Sequence, residues 1–400
     1  MQFTSAVTSA SDVGQAIDEL LEPIDAFLTP GMADLVFLFA TAHFEDDLPD
    51  VVDRLGASFP TAAIMGCTAE GTIGCDQELQ GTPSMALLVG VLPGVLVRPF
   101  RVQQDLLESA RSVFDWERVF GVSPDSDPVF IAFGDPFRIN IPAFVEQLNE
   151  LFPGAPLVGG VASAAHAPDQ NRLILAGEIH RDGLVGVALT GNLTVDTVVS
   201  QGCRPIGKPF VITKGERNVV YELGGRAALQ QLHSVLVGLS PRDEQLARQS
   251  LLVGRVIDER KEVFSRGDFL IQNIVGVDRG SGAMGITGNA RVGTTLQFHV
   301  RDADSADEDL RTLLAPHQIL NVRGALLFGC TGRGIHMWKK SGHDVGVLRD
   351  LLGEIPVAGF FCGGEFGPIG GRNYIHGFTA SIALLSELDD DDARQTDQQL

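Results

Sequence analysis

Three stretches decide how this chain is read: Phe59-Pro-Thr-Ala-Ala-Ile-Met-Gly-Cys-Thr-Ala-Glu-Gly71, Phe152-Pro-Gly-Ala-Pro-Leu-Val-Gly-Gly-Val-Ala-Ser163 and Ile355-Pro-Val-Ala-Gly-Phe-Phe-Cys-Gly-Gly-Glu-Phe-Gly367. Each runs from a proline through a short apolar run into small, glycine-rich residues. What precedes them repeats as well. Asp34–Ala40, Pro128–Gly134 and Gly324–Cys330 are continuous apolar runs of strand length, the pattern of strands covered on both faces. Between run and phrase lie the helical patterns Leu48–Phe59, Ile141–Phe152 and Asp344–Leu352. In the second of these, Phe144, Leu148 and Leu151 fall on one face. The unit is strand, loop, helix, strand, and internal repetition of this kind is the first thing to read in a long chain.

Further strand candidates follow each phrase: Ser84–Leu92 with Val95–Val102, Gly183–Thr190 with Thr194–Gly202, and Gly377–Leu385. The turns Pro93-Gly94 and Gly191-Asn192 suit hairpins within the first two pairs. The predicted fold is α/β, with mixed sheets packed by helices and built from repeated strand-helix-strand-hairpin units. Val219–Val300 breaks the pattern. Tyr221–Leu236 reads as a strand end, a glycine turn and a helix, and the strands Ile271–Val277 and Gly293–Val300 come later. The predicted organisation is a helical lead-in over 1–30, one domain over 31–218, a second over 219–386, and an acidic, disordered tail over 387–400.

A formal net charge of −21 sets the chain against nucleic acid and anionic membrane surfaces, which repel an acidic body. The start of the chain lacks the basic segment and apolar run of a secretory signal. No apolar run reaches about 18 residues, so membrane insertion is not expected. The cysteines Cys67, Cys75, Cys203, Cys330 and Cys362 form neither a zinc pattern nor an even disulfide framework. Reduced thiols in a cytoplasm are the expectation. Arginine outnumbers lysine, and alanine and glycine abound, a usage that goes with GC-rich bacterial genomes.

Small residues at strand ends let backbone N–H groups approach a ligand closely, and ligands of open sheets sit beyond strand carboxyl ends. The bland reading is that the glycines only allow tight turns and close strand–helix packing. Gly329-Cys-Thr-Gly-Arg-Gly334 offers backbone donors, the Thr331 hydroxyl and the Arg333 fork, a set suited to a carboxylate or phosphate. It lacks the lysine and spacing of a P-loop. In the last phrase Glu365 suits an ammonium group and Arg372 a carboxylate, as a free amino acid requires; alternatively the two pair with each other. Cys362, Gly363, Gly364, Asn373 and His376 flank them, and Cys67, Thr68 and Glu70 occupy the corresponding place in the first phrase.

The segment FFCGGEFGPIGGRNYIHGFTASIAL (360–384) resembles the C-terminal signature of the FIST family. ALLFGCTGRG (325–334) resembles the preceding block of its C-terminal domain, VVYELGGRAALQQL (219–232) the stretch that opens that domain, and AAIMGCTAEGTIG (62–74) the phrase of its N-terminal domain, with Ala-Glu-Gly in place of the frequent Ala-Gly-Glu. The resemblance implies a free-standing sensor of signal transduction. It would bind a small ligand such as an amino acid, without cofactor or metal, and act through a protein partner or by oligomerising.

Two other classes stand beside it. A cysteine-dependent hydrolase or transferase would use Cys67, Cys330 or Cys362 with His43, His336, His343 or His376, oriented by Glu365 or Glu70. A ligand-free scaffold would only present a surface. His336 and His343 lack the HExxH arrangement of a zinc site, and His166 and His180 read as ordinary histidines.

Overall fold

The computed structural model describes residues 1–28 and 32–388; of the predicted tail, 389–400 lie outside the described residues. The chain opens with β1 (Gln2–Thr8) and α1 (Val13–Phe27), so the predicted helical lead-in holds a strand as well. The first repeat is β2 (Leu35–Thr41), α2 (Leu48–Ser58), β3 (Ala63–Ala69), the short strands β4 (Gly71–Gly74) and β5 (Gln77–Gln80), and β6 (Met85–Val91). Then come β7 (Val95–Val102), α3 (Gln104–Ser109) and α4 (Val113–Phe120). The second repeat is β8 (Val129–Gly134), α5 (Ile141–Leu151), β9 (Leu157–Val161), β10 (Leu173–Leu175), β11 (Glu178–His180) and β12 (Leu184–Gly191), followed by β13 (Thr194–Gln201).

An insertion follows: β14 (Cys203–Glu216), β15 (Val219–Leu223), β16 (Arg226–Ala227), α6 (Ala228–Val237), α7 (Pro241–Gln249), β17 (Leu251–Val256), β18 (Phe269–Asp278), β19 (Ala283–Ile286) and β20 (Thr295–Arg301), then α8 (Ala303–Leu314). The third repeat closes the chain with β21 (Gly324–Cys330), α9 (Gly334–Trp338), α10 (His343–Leu352), β22 (Val357–Cys362), β23 (Glu365–Ile369), β24 (Arg372–His376) and β25 (Thr379–Ser386). By internal contact the chain forms two units. The first comprises Met1–Val199, Arg311–Ile375 and the chain from Ala380; the second comprises Ser200–Leu310 and His376–Thr379.

The repeats build the first unit. In each, the opening strand pairs in parallel with the strand of the phrase: β2 with β3, β8 with β9, β21 with β22. A Cβ on Gly66, Gly159 or Gly359 would lie 1.7, 2.0 or 1.8 Å from the carbonyl oxygen of Leu38, Ala132 or Leu327 on that neighbour. These phrase glycines thus answer to the close approach of the neighbouring strand's backbone, not to a helix.

Alternate residues of the opening strands face inward. Phe39, Phe133 and Phe328 occupy equivalent positions, and their rings meet at 5.2, 6.3 and 5.8 Å between centroids. Phe360 packs on all three at 5.1–5.6 Å. Each buried ring contributes about 1.5–3 kcal/mol and edge-to-face contact adds to that, so this cluster fixes the repeats to one another. The opposite faces pack on the helices: Val36 and Leu38 with α1 and α2, Phe130 and Ala132 with α4 and α5.

The sheets exchange strands. Their orders are β1-β6-β2-β3-β10-β11, β7-β12-β8-β9-β23-β24 and β13-β25-β21-β22-β4-β5. Each repeat keeps its parallel pair and the strand that returns beside it, and hands its hairpin to the sheet of another repeat. The first gives β4–β5 to the third, the second gives β10–β11 to the first, and the third gives β23–β24 to the second.

The segments around Pro93-Gly94 and Gly191-Asn192 therefore do not form the predicted hairpins. β6 is already hydrogen-bonded by β1 and β2, and β12 by β7 and β8. Neither has an edge left for the strand that follows it.

In the second unit β14 pairs with both β20 and β15, which closes β14-β20-β17-β18-β19-β15 into an antiparallel ring without free edges. Ile212, Val220, Met284, Phe298 and Val300 fill its interior with Leu232 of α6. Asn218, the predicted domain boundary, is in the turn between the paired strands β14 and β15.

Candidate functional site

The three phrase strands end side by side, and their small residues bond one another. The Val161 amide donates to the Gly364 carbonyl at 2.8 Å, the Gly363 amide to the Val161 carbonyl at 2.9 Å, and the Thr331 amide to the Cys362 carbonyl at 3.0 Å. The Glu70 amide donates to Ser163 Oγ at 2.9 Å, and that hydroxyl donates to the Phe361 carbonyl. Thr68 Oγ1 accepts the Arg172 amide at 2.8 Å. The backbone donors expected to face a ligand at Gly363 and Thr331 are thus used inside the protein.

Cys67 and Cys362 are wholly buried, and burial pushes both thiols well up. The negative charge of Glu365, then Cys67 and Cys330, pushes Cys362 further. Glu365 is also wholly buried; its backbone lies opposite Gly160, where a Cβ would come within 2.5 Å of Cys362 Sγ. Sequence reasoning does bring Cys67, Cys362 and Glu365 into one place, but an activated nucleophile requires a depressed pKa, and these thiols have the reverse.

The rest of the last phrase goes elsewhere. Arg372 Nη2 pairs with Glu146 Oε1 at 2.5 Å on the surface, so Glu365 is not its partner. Asn373 is buried and its polar atoms are engaged: Oδ1 accepts the Leu157 amide at 2.8 Å, Nδ2 donates to the Ala155 carbonyl at 2.9 Å, and its amide donates to Asn149 Oδ1 at 2.8 Å. His376 is buried and groups by contact with the second unit. Glu70 is half-exposed, with His336 Nε2 at 4.0 Å.

A different arrangement surrounds the loop after β21. Gly334 has φ +51°, a conformation that favours glycine, and a Cβ there would meet Gln80 Oε1 at 2.0 Å and the Phe361 ring at 2.8 Å. Arg333 is wholly buried and grips Asp344 with two bonds, Nε to Oδ2 at 2.7 Å and Nη2 to Oδ1 at 2.8 Å. Burial pushes the Asp344 carboxyl up, but the Arg333 guanidinium and the His343 hydrogen bond outweigh it and hold it at about 2.

The guanidinium lies over the Trp338 ring at 5.6 Å, and His343 stacks on that ring at 3.4 Å and 10°. Glu78, from the exchanged hairpin, is buried beside them and accepts the Val345 amide through Oε1 at 3.0 Å. Burial first, then the charge of Asp344, push its carboxyl up to about 7, against the Val345 and Asp344 amides and Arg333. Gln80 Oε1 accepts the Ile335 amide at 3.0 Å.

Around this knot four buried side-chain atoms have no hydrogen-bond partner among the described residues: Arg333 Nη1, Trp338 Nε1, Gln80 Nε2 and Glu78 Oε2. Buried polar atoms are normally satisfied, and leaving one unmet costs about 1–3 kcal/mol. Three of these atoms are donors and one is an acceptor. Sequence reasoning found Arg333, Cys330 and Thr331 here but missed Glu78, Gln80, Trp338 and Asp344. The one available signal was the need of a buried arginine fork for a carboxylate.

Two family models match this chain, the FIST N domain over residues 34–226 and the FIST C domain over 228–368. The chain belongs to the FIST family. FIST domains are generally sensory domains of signal transduction. This FIST chain is 37% identical over 390 residues to an uncharacterized protein of Mycobacterium tuberculosis (strain ATCC 25618 / H37Rv), covering 96% of the chain and 100% of the relative. It is 37% identical over 377 residues to an uncharacterized protein of Mycobacterium bovis, covering 93% of each. Among solved structures, a cyanuric acid hydrolase from A. caulinodans aligns over 97% of the FIST chain and 100% of its own, with 8% identity and a TM-score of 0.37. No helix among the described residues is long and apolar enough to cross a membrane.

Proposed function

We propose that this FIST protein is a sensor that binds a small ligand, an amino acid or related small carboxylate, in the loop at the end of β21, and passes the signal to a protein partner. The observation that carries the reading is the wholly buried Arg333, whose Nη1 has no hydrogen-bond partner among the described residues, as is true of three further buried polar atoms on Glu78, Gln80 and Trp338. Of the side chains the sequence singles out, Arg333, Cys330 and Thr331 belong to this loop. Glu365, Cys67 and Cys362 form a buried interior group, and Arg372 and Asn373 hold other contacts. The burial of Cys67 and Cys362 counts against the thiol-enzyme alternative.

Thermal-shift screening against the free L-amino acids and small carboxylates tests the proposal. A ligand bound only by the folded protein at about a hundred times its Kd adds about 2.7 kcal/mol of stability, and a hit of that kind is expected. Trp338→Phe keeps a stacking ring but removes Nε1, and is expected to weaken the hit about tenfold, as the loss of a hydrogen bond worth about 1–1.5 kcal/mol does. No stabilisation across the panel, or a hit indifferent to Trp338→Phe, would overturn the assignment.

A further inference from the structure

A cavity of about 620 Å³ lies at the other end of β21, beside the edge strand β1. Arg333 follows β21, whereas this cavity is lined by the segments that precede β21 and β22, together with the start of β1, the end of α1, the β4–β5 turn and α10. All of its lining residues belong to the first unit. On one side β1 is hydrogen-bonded by β6. On the other the Val357 amide donates to Ser5 Oγ at 3.2 Å, and Cys75 Sγ approaches the same hydroxyl at 3.5 Å. β22 and the exchanged hairpin thus come alongside β1 with no strand pairing to it among the described residues, and the cavity opens between them.

Its deeper wall is apolar and fixed. Phe3, Val345 and Val357 are buried. The Phe3 ring is clamped, since a Cβ on Gly90 or Gly324 would come within 2.7 or 2.9 Å of it. Ile355 and Pro356 are half-buried, and Phe27 on the rim is 59% exposed. The charged groups on the wall cancel. Arg349 pairs with Asp76 at 3.2 Å and with Glu354. Arg323 lies 3.7 Å from Glu387, which also takes the amino terminus. A charged ligand would displace one member of such a pair and leave the other unmatched beside an apolar wall; an uncharged one leaves every pair in place.

We infer that this cavity is a second ligand site, which takes an uncharged, largely apolar small molecule seated on Phe3, Val345 and Val357 and covered by Phe27. Its volume falls within the about 300–1,000 Å³ of small-molecule sites. Removal of apolar surface from water supplies the affinity, and the closed ion pairs select against acids and amines. The inference goes beyond the reading of the Arg333 loop and does not depend on it. Cys75 supplies the readout, because it is half-buried on the cavity wall while Cys67, Cys203, Cys330 and Cys362 are buried. Burial raises the Cys75 thiol pKa, so its alkylation is slow in the free protein, and a molecule seated beside it slows it further.

The experiment alkylates the full chain with N-ethylmaleimide at about pH 8 and reads Cys75 by peptide mass mapping. The probes are 2-naphthol, 2-naphthoate and 2-naphthylmethyl-trimethylammonium, which share a ring system and differ in charge. At about ten times its Kd, 2-naphthol is expected to slow Cys75 alkylation about tenfold and to raise the Tm; the two charged probes should do neither. Phe27→Ser should weaken 2-naphthol about tenfold and leave the Tm of the free protein unchanged. Phe114→Ser removes another exposed ring, on α4, and should change nothing. Asp76→Asn combined with Glu354→Gln releases Arg349 from both partners, and this double variant should admit 2-naphthoate.

Absence of protection by 2-naphthol, equal protection by 2-naphthoate in the wild type, or protection indifferent to Phe27→Ser would each overturn the inference. So would a double variant that still rejects 2-naphthoate. Cys75 protection that grows with protein concentration in the absence of probe would place a second copy of the chain on Phe27 instead, and would overturn it too. If Phe27→Ser does not fold by circular dichroism, the comparison of the three probes on the wild type decides alone. These outcomes leave the Arg333 loop untouched, since its own test uses amino acids and Trp338→Phe.

Discussion

The second and third repeats end their opening strands in the same place, and they treat the loop beyond it in opposite ways. After β8, Asp135 is wholly buried and its carboxylate is engaged on both oxygens. Oδ2 accepts the Phe137 and Arg138 amides at 3.0 and 3.1 Å, and Oδ1 accepts Asn171 Nδ2 at 3.0 Å. After β21 the equivalent position is Cys330, and beyond it Arg333, Glu78, Gln80 and Trp338 leave polar atoms unmet in the interior. One loop is closed by its own bonds, whereas the other carries a polar set that folding alone gives no reason to keep. Repetition built the frame, and departure from repetition marks the loop where we propose the site.

The largest test of that contrast is Arg333→Met. It strands Asp344 as a buried carboxylate without its partner, a loss of about 3–5 kcal/mol, read as a lower urea midpoint at neutral pH. The cost should shrink as pH falls through the acid range. Asp344 has its pKa held down to about 2, so the stability it contributes is present above its unfolded value and is lost on acidification. A cost that does not change with pH would show that the pair is not what holds this loop.

Asp135→Ala in the second repeat is expected to cost about 2 kcal/mol through three lost hydrogen bonds at somewhat under about 1 kcal/mol each, and to leave ligand-induced stabilisation unchanged. If it abolished that stabilisation, the closed loop would be part of the site and the contrast would fail. The smallest effect belongs to Arg372→Ala. Its exposed pair with Glu146 is worth at most about 1 kcal/mol, and neither urea denaturation nor ligand titration should register it strongly. A large loss of binding there would move the site back to the last phrase.

Much of the frame was legible in the residues. Val36–Ala40, Phe130–Phe133 and Ala325–Phe328 are apolar on both faces, and that pattern predicted strands covered on both faces in mixed sheets. The helices were equally readable, because Val51, Val52 and Leu55, or Phe144 and Leu148, fall on one buried face. What misled was the turn at Pro93-Gly94. Turn chemistry says that the chain reverses, not which edge receives it, and the edge beside β6 was taken. The donated hairpins escaped notice because Gln77–Gln80 and Leu173–Leu175 are too short for a period to show.

The site divides along the same line. By itself the sequence determined that three similar units would form and that Arg333 would sit in a glycine-rich loop at a strand end. These are local matters, set by side-chain periodicity and by where a Cβ can be tolerated. Only the tertiary structure decided that Glu78 and Gln80, more than two hundred and fifty residues away along the chain, would meet that arginine. It also decided that Glu365 and Arg372 would part. Which strand edge is free to accept a hairpin depends on every other strand already in the sheet, and no local pattern of residues carries that information.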